Sequence, residues 1–349
     1  GESEALWRTH AAYYLALAEQ AAPYLTGSEQ SVWLERLERD HDNLRAALGW
    51  ARERGDVALG LRLSGALWRF WYTRGYLSEG RGWLEEMLAL SERLDDSALG
   101  PLRTRALYGA ATLASTQNDF DRALALWEAS LALSRDVGDK AVAASALNAL
   151  GLTALQRGDV ERAATLFGES LALARDVGEP WGIARTLLSL GQTAYVRGDY
   201  ARAQALFEEC LELMRRAGSM SHSAVALLYL GHVAREHGNP ARAMSLYQEG
   251  LALSQGLGDK LRLVRELEGL ATALAAEGHS ERAARLLGAA EAEREVLGSA
   301  QHPMDRPAVE RAVANLRAAL GGAGITAAWE GGRALALDDA IIEALGDTS

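Results

Sequence analysis

The chain carries one cysteine, Cys210, so no intrachain disulfide can form. A reducing, cytoplasmic compartment is the expectation that fits. Prolines number six, and alternating Val, Ile and Thr of the strand-forming kind is missing. No stretch approaches the roughly 20 consecutive apolar residues that a membrane helix needs. The first ten residues, GESEALWRTH, have neither a basic region nor an apolar one, so no secretory signal is visible. An initiating methionine is lacking too, and a piece of a longer protein is the expectation. Basic side chains are the minority, 36 against 47 acidic ones, for a formal charge of −11. That balance argues against general affinity for nucleic-acid phosphates and leaves room only for a local basic groove.

Several chemistries lack their residues. No GxxxxGK[ST] loop is present to cradle phosphates. The seven histidines are scattered, with no HExxH and no Cys/His cluster, so no metal site is expected. Adjacent acids such as Glu208 and Glu209 point in different directions on a helix and read as solvated charge. Cys210, one residue before the periodic Leu211, reads as a small packing residue. Nothing assembles a nucleophile, a base and an oxyanion site. The expectation is a protein without catalytic residues or cofactor.

What is abundant is Ala, Leu, Glu and Arg, the residues that cost least in a helix, and they recur with a period. The turn pairs Asn118-Asp119, Gly158-Asp159, Gly198-Asp199, Gly238-Asn239 and Gly278-His279 follow one another at a constant spacing of forty. Arg122, Ala123 and Leu126 repeat in step, and a second glycine series, Gly138, Gly178, Gly218, Gly258 and Gly298, falls halfway through each period. The pattern is helix, glycine turn, helix, glycine turn, with about 18 residues per helix. Within it the tripeptide RGD appears at Arg54, Arg157 and Arg197. Read alone it suggests a cell-adhesion ligand. Read in register it is a helix end, a left-handed glycine and an Asp N-cap for the next helix.

These hairpins resemble the tetratricopeptide repeat (TPR). Gly151, Gly191 and Gly231 match its small residue on the first helix; Ala163, Ala203 and Ala243 match the small residue on the second. Phe167, Phe207 and Tyr247 match the large knob four residues on. The usual period is 34, so each repeat here is six residues longer. The resemblance implies an all-α, right-handed α-solenoid of TPR-like hairpins. Its expected divisions are an N-terminal helical cap (1–55, helices near 4–22 and 29–54 joined by PYLTGS), a degenerate repeat and loop (56–101), regular repeats (102–298) and a C-terminal helical cap (299–349). In that last part QHPM is expected as a loop, 305–320 as a helix, and 325–345 as a short cap broken at Gly331-Gly332.

Two further phrases narrow the likeness. HDNLRAAL with the stretch LGLRLSGALWRFWYTRGYLSEGRGWLEEML, and the tail from ERAARLLGAAEAEREVLG to ALALDDAI, are similar to the C-terminal arms of bacterial signal-transduction ATPases with numerous domains (STAND), including AfsR- and LuxR-type regulators. That resemblance implies a sensor arm whose nucleotide switch lies upstream in the same polypeptide. Its partner would be a peptide, a protein or a small anionic inducer, with no direct nucleic-acid or membrane binding. A freestanding TPR scaffold for peptides is the alternative.

In TPR arrays the inner-facing residues lie six and three before the small first-helix position, and one and four after it. These offsets, with an equivalent alignment of the degenerate repeat, give the candidate groove: Arg62, Arg69, Tyr72, Arg105, Tyr108, Asn148, Arg185, Gln192, Tyr195, His232, Arg235 and Arg265. Six arginines against one clear acid, Glu268, make this surface unlike the acidic whole. Arginine's planar fork suits carboxylate or phosphate, and tyrosine adds flat area with a polar tip. Pairing of these arginines with carboxylates of neighbouring helices is the plainer alternative. The aromatic cluster Trp68, Phe70, Trp71, Tyr72 and Trp83 reads as core, with Tyr72 the exception.

Overall fold

A computed structural model of the chain describes residues 2–25, 29–94 and 96–346. Among these residues there are seventeen α-helices and no strand, and no helix is long and apolar enough to cross a membrane. The helices fall into two compact units, residues 1–182 and 183–349. The boundary cuts through the regular repeats.

The first unit holds α1 (Glu2–Ala21), α2 (Gln30–Arg39), α3 (His41–Arg54), α4 (Val57–Arg74), α5 (Leu77–Glu92), α6 (Gly100–Thr116), α7 (Phe120–Val137), α8 (Lys140–Gln156) and α9 (Val160–Val177). The helix expected over 29–54 is two helices, because the chain bends at Asp40. The Asp40 carbonyl accepts from the Leu44 amide, while its side chain accepts from Tyr14 and Asn43. The PYLTGS joint begins inside a 3-10 turn, Ala22–Leu25; residues 26–28 lie outside the described residues. Phe70 and Trp71 are fully buried, Trp68 and Trp83 partly so, and Tyr72 is 48% exposed.

Helix α10 (Pro180–Val196) contains the boundary. The second unit continues with α11 (Tyr200–Arg216), α12 (Met220–Glu236), α13 (Pro240–Leu257), α14 (Lys260–Ala276), α15 (Ser280–Val296), α16 (Arg306–Arg333) and α17 (Leu337–Leu345). Gly331 and Gly332 do not break the terminal helix as expected; they lie inside α16. A Cβ at Gly332 would collide with the Arg285 carbonyl, so the bare backbone serves close packing on α15. The change of direction comes earlier, at Gly321 (φ 68°, ψ 172°).

The RGD segments are turns, as their register implies. Gly55, Gly158 and Gly198 have φ of 65°, 80° and 77°. Asp56, Asp159 and Asp199 accept from the amides of Leu59, Arg162 and Arg202. The small-and-large pairs fit equally closely: a Cβ on Gly151 would lie 2.6 Å from the Phe167 ring.

Candidate functional site

Within each unit the first helices of successive hairpins stand side by side, so positions one full period apart meet. In the first unit α4 and α6 form one such wall. Gly65 lets the Arg105 Cβ approach to 3.7 Å of where its own Cβ would lie. The Trp68 ring meets Tyr108 edge-on, centroids 5.5 Å apart, and the Arg69 guanidinium lies 4.4 Å above the Trp68 ring. Arg62 is tied by a two-pronged pair to Glu19, at 2.8 Å in each bond. Arg105 is exposed and has no hydrogen bond or ion pair among the described residues. Asn148, on α8, is only 2% exposed and so is closed off from a groove ligand in this conformation.

In the second unit the wall of α10, α12 and α14 brings together Tyr195, His232, Arg235 and Arg265, while Arg185 and Gln192 on α10 are partly buried. Arg235 donates to the Tyr195 hydroxyl at 3.1 Å and to Glu236 at 3.0 Å. Tyr195 and Arg311 also donate to Glu236. Arg265 grips Asp305 with Nε at 2.7 Å and a terminal nitrogen at 3.3 Å. His232, 1% exposed, is a core residue. Its Nδ1 lies 2.7 Å from the Tyr247 hydroxyl. Its Nε2 is 2.9 Å from Asp305, but off the direction of the ring N–H, so that approach is electrostatic contact rather than an aligned hydrogen bond.

Burial pushes the His232 imidazole down to about 4 against the opposing pull of Asp305, with Arg235 and Arg265 adding to the fall. It is therefore neutral near pH 7, its Nδ1 sharing a hydrogen with the Tyr247 hydroxyl. Burial would raise the Asp305 carboxyl, but His232 and Arg265 outweigh it and hold the group well below the usual carboxylate range. Burial also lifts Tyr195 to about 12 and the Cys210 thiol to about 12, so neither ionises near pH 7. Cys210 is fully buried.

The walls of the two units thus differ in character. In the second unit Arg235 and Arg265 are neutralised by carboxylates of the same unit; in the first, Arg105 is open. Sequence reasoning missed Asp305, Glu236 and Arg311, and read Tyr247 only as a packing knob. Asp305 lies one period after Arg265, so the same counting reaches it; its place next to the QHPM loop hid it.

These features define a helical array of TPR-like hairpins with an arginine- and tyrosine-bearing first-helix wall. The chain belongs to the MalT-like TPR region family, which matches residues 105–323. A 150-residue stretch is 33% identical to proteins of Mycobacterium tuberculosis and Mycobacterium bovis named as HTH-type transcriptional regulators. It covers 42% of this chain and 17% of theirs. Among solved structures, the apo quorum sensor NprR from B. thuringiensis aligns with a TM-score of 0.60 at 12% identity, covering 99% of this chain and 93% of its own. The Rap conjugation gene regulator of plasmid pLS20, in complex with the Phr* peptide, aligns with a TM-score of 0.51 at 12% identity, covering 97% and 99%. At these identities the likeness is one of fold.

Proposed function

We propose that this chain is the non-catalytic sensing arm of a bacterial STAND-type regulator, taking an anionic ligand or acidic peptide on its first-helix wall and controlling a nucleotide switch elsewhere in the polypeptide. The relatives named as transcriptional regulators support it, since the matched stretch is a small part of their length. So does the Rap regulator, a protein of like fold captured with a peptide. The observation that carries the reading is Arg105: an exposed guanidinium without a partner among the described residues, three residues before Tyr108 on α6, whose ring meets Trp68. In an acidic chain, an arginine left open one helical turn from an aromatic pair is suited to a carboxylate flanked by apolar groups.

The test is fluorescence polarisation with a labelled hexaglutamate peptide at low ionic strength. Arg105→Ala should weaken binding by about 3- to 10-fold, the worth of one partly exposed charge contact, and leave helicity unchanged. Equal binding by the wild type and R105A at matched salt would remove the site.

A further inference from the structure

Counting in steps of one period from Arg105 gives Ser145, Arg185, Val225, Arg265 and then Asp305. At the last step the sign of the charge reverses and the backbone changes with it. Where the earlier first helices begin their first turns, residues 299–305 are mostly non-helical, and α16 starts only at Arg306. The stretch is bounded by two left-handed glycines, Gly298 (φ 60°) and Gly321 (φ 68°). Beyond Gly321 the chain is fastened to α15: Trp329 donates to Glu291 at 2.7 Å, and Arg333 pairs with Glu291 and Glu295. Between the glycines a thin apolar line, Ala308, Val309, Ala312 and Leu316, is buried. The polar attachments of this stretch run from Asp305 to Arg265 and His232, from Gln301 to Glu268, and from Arg311 to Glu236.

The Asp305 carboxylate is 3% exposed and held by a guanidinium fork, which is how a protein binds the carboxylate of another chain. Beside it is a cleft of about 400 Å³, with Tyr195, Tyr200 and Arg235 on one side and Pro303, Met304 and Pro307 on the other. The cleft separates the wall from the segment that lies against it.

We propose that Arg265 and its surroundings form a carboxylate-binding subsite on the wall of the second unit, that residues 299–320 are a hinged arm filling it with Asp305, and that an acidic peptide segment of a partner takes the arm's place. This rests on the reading of the first-helix wall as the ligand surface, and it adds the regulation of that surface. In this conformation Asp305 competes with the ligand from within the same chain. Its effective concentration there is high, so an external carboxylate enters only when further contacts help it. The wall side of the cleft, with Tyr195, Val196 and Tyr200, offers those contacts to an apolar residue next to the acid.

The experiment uses the full chain and the hexaglutamate probe. Asp305→Asn keeps the shape and removes the competing charge. It should tighten probe binding by about tenfold and speed amide exchange over 306–320. Adding Arg265→Gln to D305N should abolish the gain. Ala312→Gln, which crowds the arm away without altering Asp305 or Arg265, should give the same sign of effect and decides the matter if D305N does not fold. A purely structural ion pair predicts otherwise: lower thermal stability with no gain in probe binding in the folded variants. That result, or a gain that survives Arg265→Gln, overturns the proposal. R105A separates the two readings, because it leaves the response to D305N intact if only the first-unit site fails.

Discussion

Glu266 is fully buried in α14, its Oε1 accepting from Ser254 at 2.9 Å and its Oε2 unpartnered. Gly250 makes the room, since a Cβ there would lie 2.9 Å from Oε1. Burial lifts this carboxyl to about 8, with Ser254 and Arg262 pulling the other way. Glu268, buried beside Arg294 and Gln301, is raised to about 7. A carboxyl raised on folding binds its proton more tightly in the native state, so its stabilisation is complete below about 4.5 and is lost as pH rises through the folded value. For Glu266 the slope is on the order of 1 kcal/mol per pH unit across that window. Asp305 acts in the opposite sense, with stability present above the ordinary carboxylate range and lost only in stronger acid. Glu266→Gln keeps the volume and cannot ionise. Denaturant unfolding at pH 5 and pH 8 should therefore find a flatter pH dependence than in the wild type, with the variant more stable at pH 8. An unchanged slope would mean that Glu266 titrates normally.

Three successive hairpins each depend on one residue without a side chain facing one with a large ring. Gly191 on α10 packs against the Phe207 ring on α11, and an added Cβ would collide with it. Gly191→Ala should cost about 1–3 kcal/mol, the usual penalty for overpacking. Phe207→Leu in the same chain should recover part of that, as read by thermal unfolding. Such pairs were legible in the sequence because Gly151, Gly191 and Gly231 stand in register with Phe167, Phe207 and Tyr247. The turns were legible for the same reason, glycine and Asp having few other uses at those spacings. Less legible was the pairing of the wall. Counting placed Arg235 and Arg265 on it, but Glu236 adjoins Arg235 in the chain and Asp305 follows the QHPM loop rather than standing in a regular helix, so neither acid announced its partner. Asp40 likewise divided a helix through contacts with Tyr14 and Asn43 that no local propensity encodes.

Across either unit the helices pack mainly on helices near them in the chain, which makes stability a sum of local terms rather than a single all-or-none quantity. Hydrogen exchange on Gly191→Ala should accordingly accelerate in α10, α11 and α12 and leave α16 and α17 near wild-type rates; uniform acceleration would mean a fully cooperative unit. The same locality gives meaning to a small device that recurs in three successive hairpins. Ser130 donates to the Thr104 carbonyl and Ser170 to that of Ala144, while Cys210 contacts Ala184 in the same way, 26 residues back each time. Hydroxyl or thiol serves alike, so adjoining hairpins are interchangeable modules. Excising one whole period, such as 220–259, together with Glu266→Ala to match Ala226 one period earlier, would keep first and second helices in alternation and shorten the protein by one hairpin. Excising half a period would set a second helix where a first belongs and leave the seam without its match.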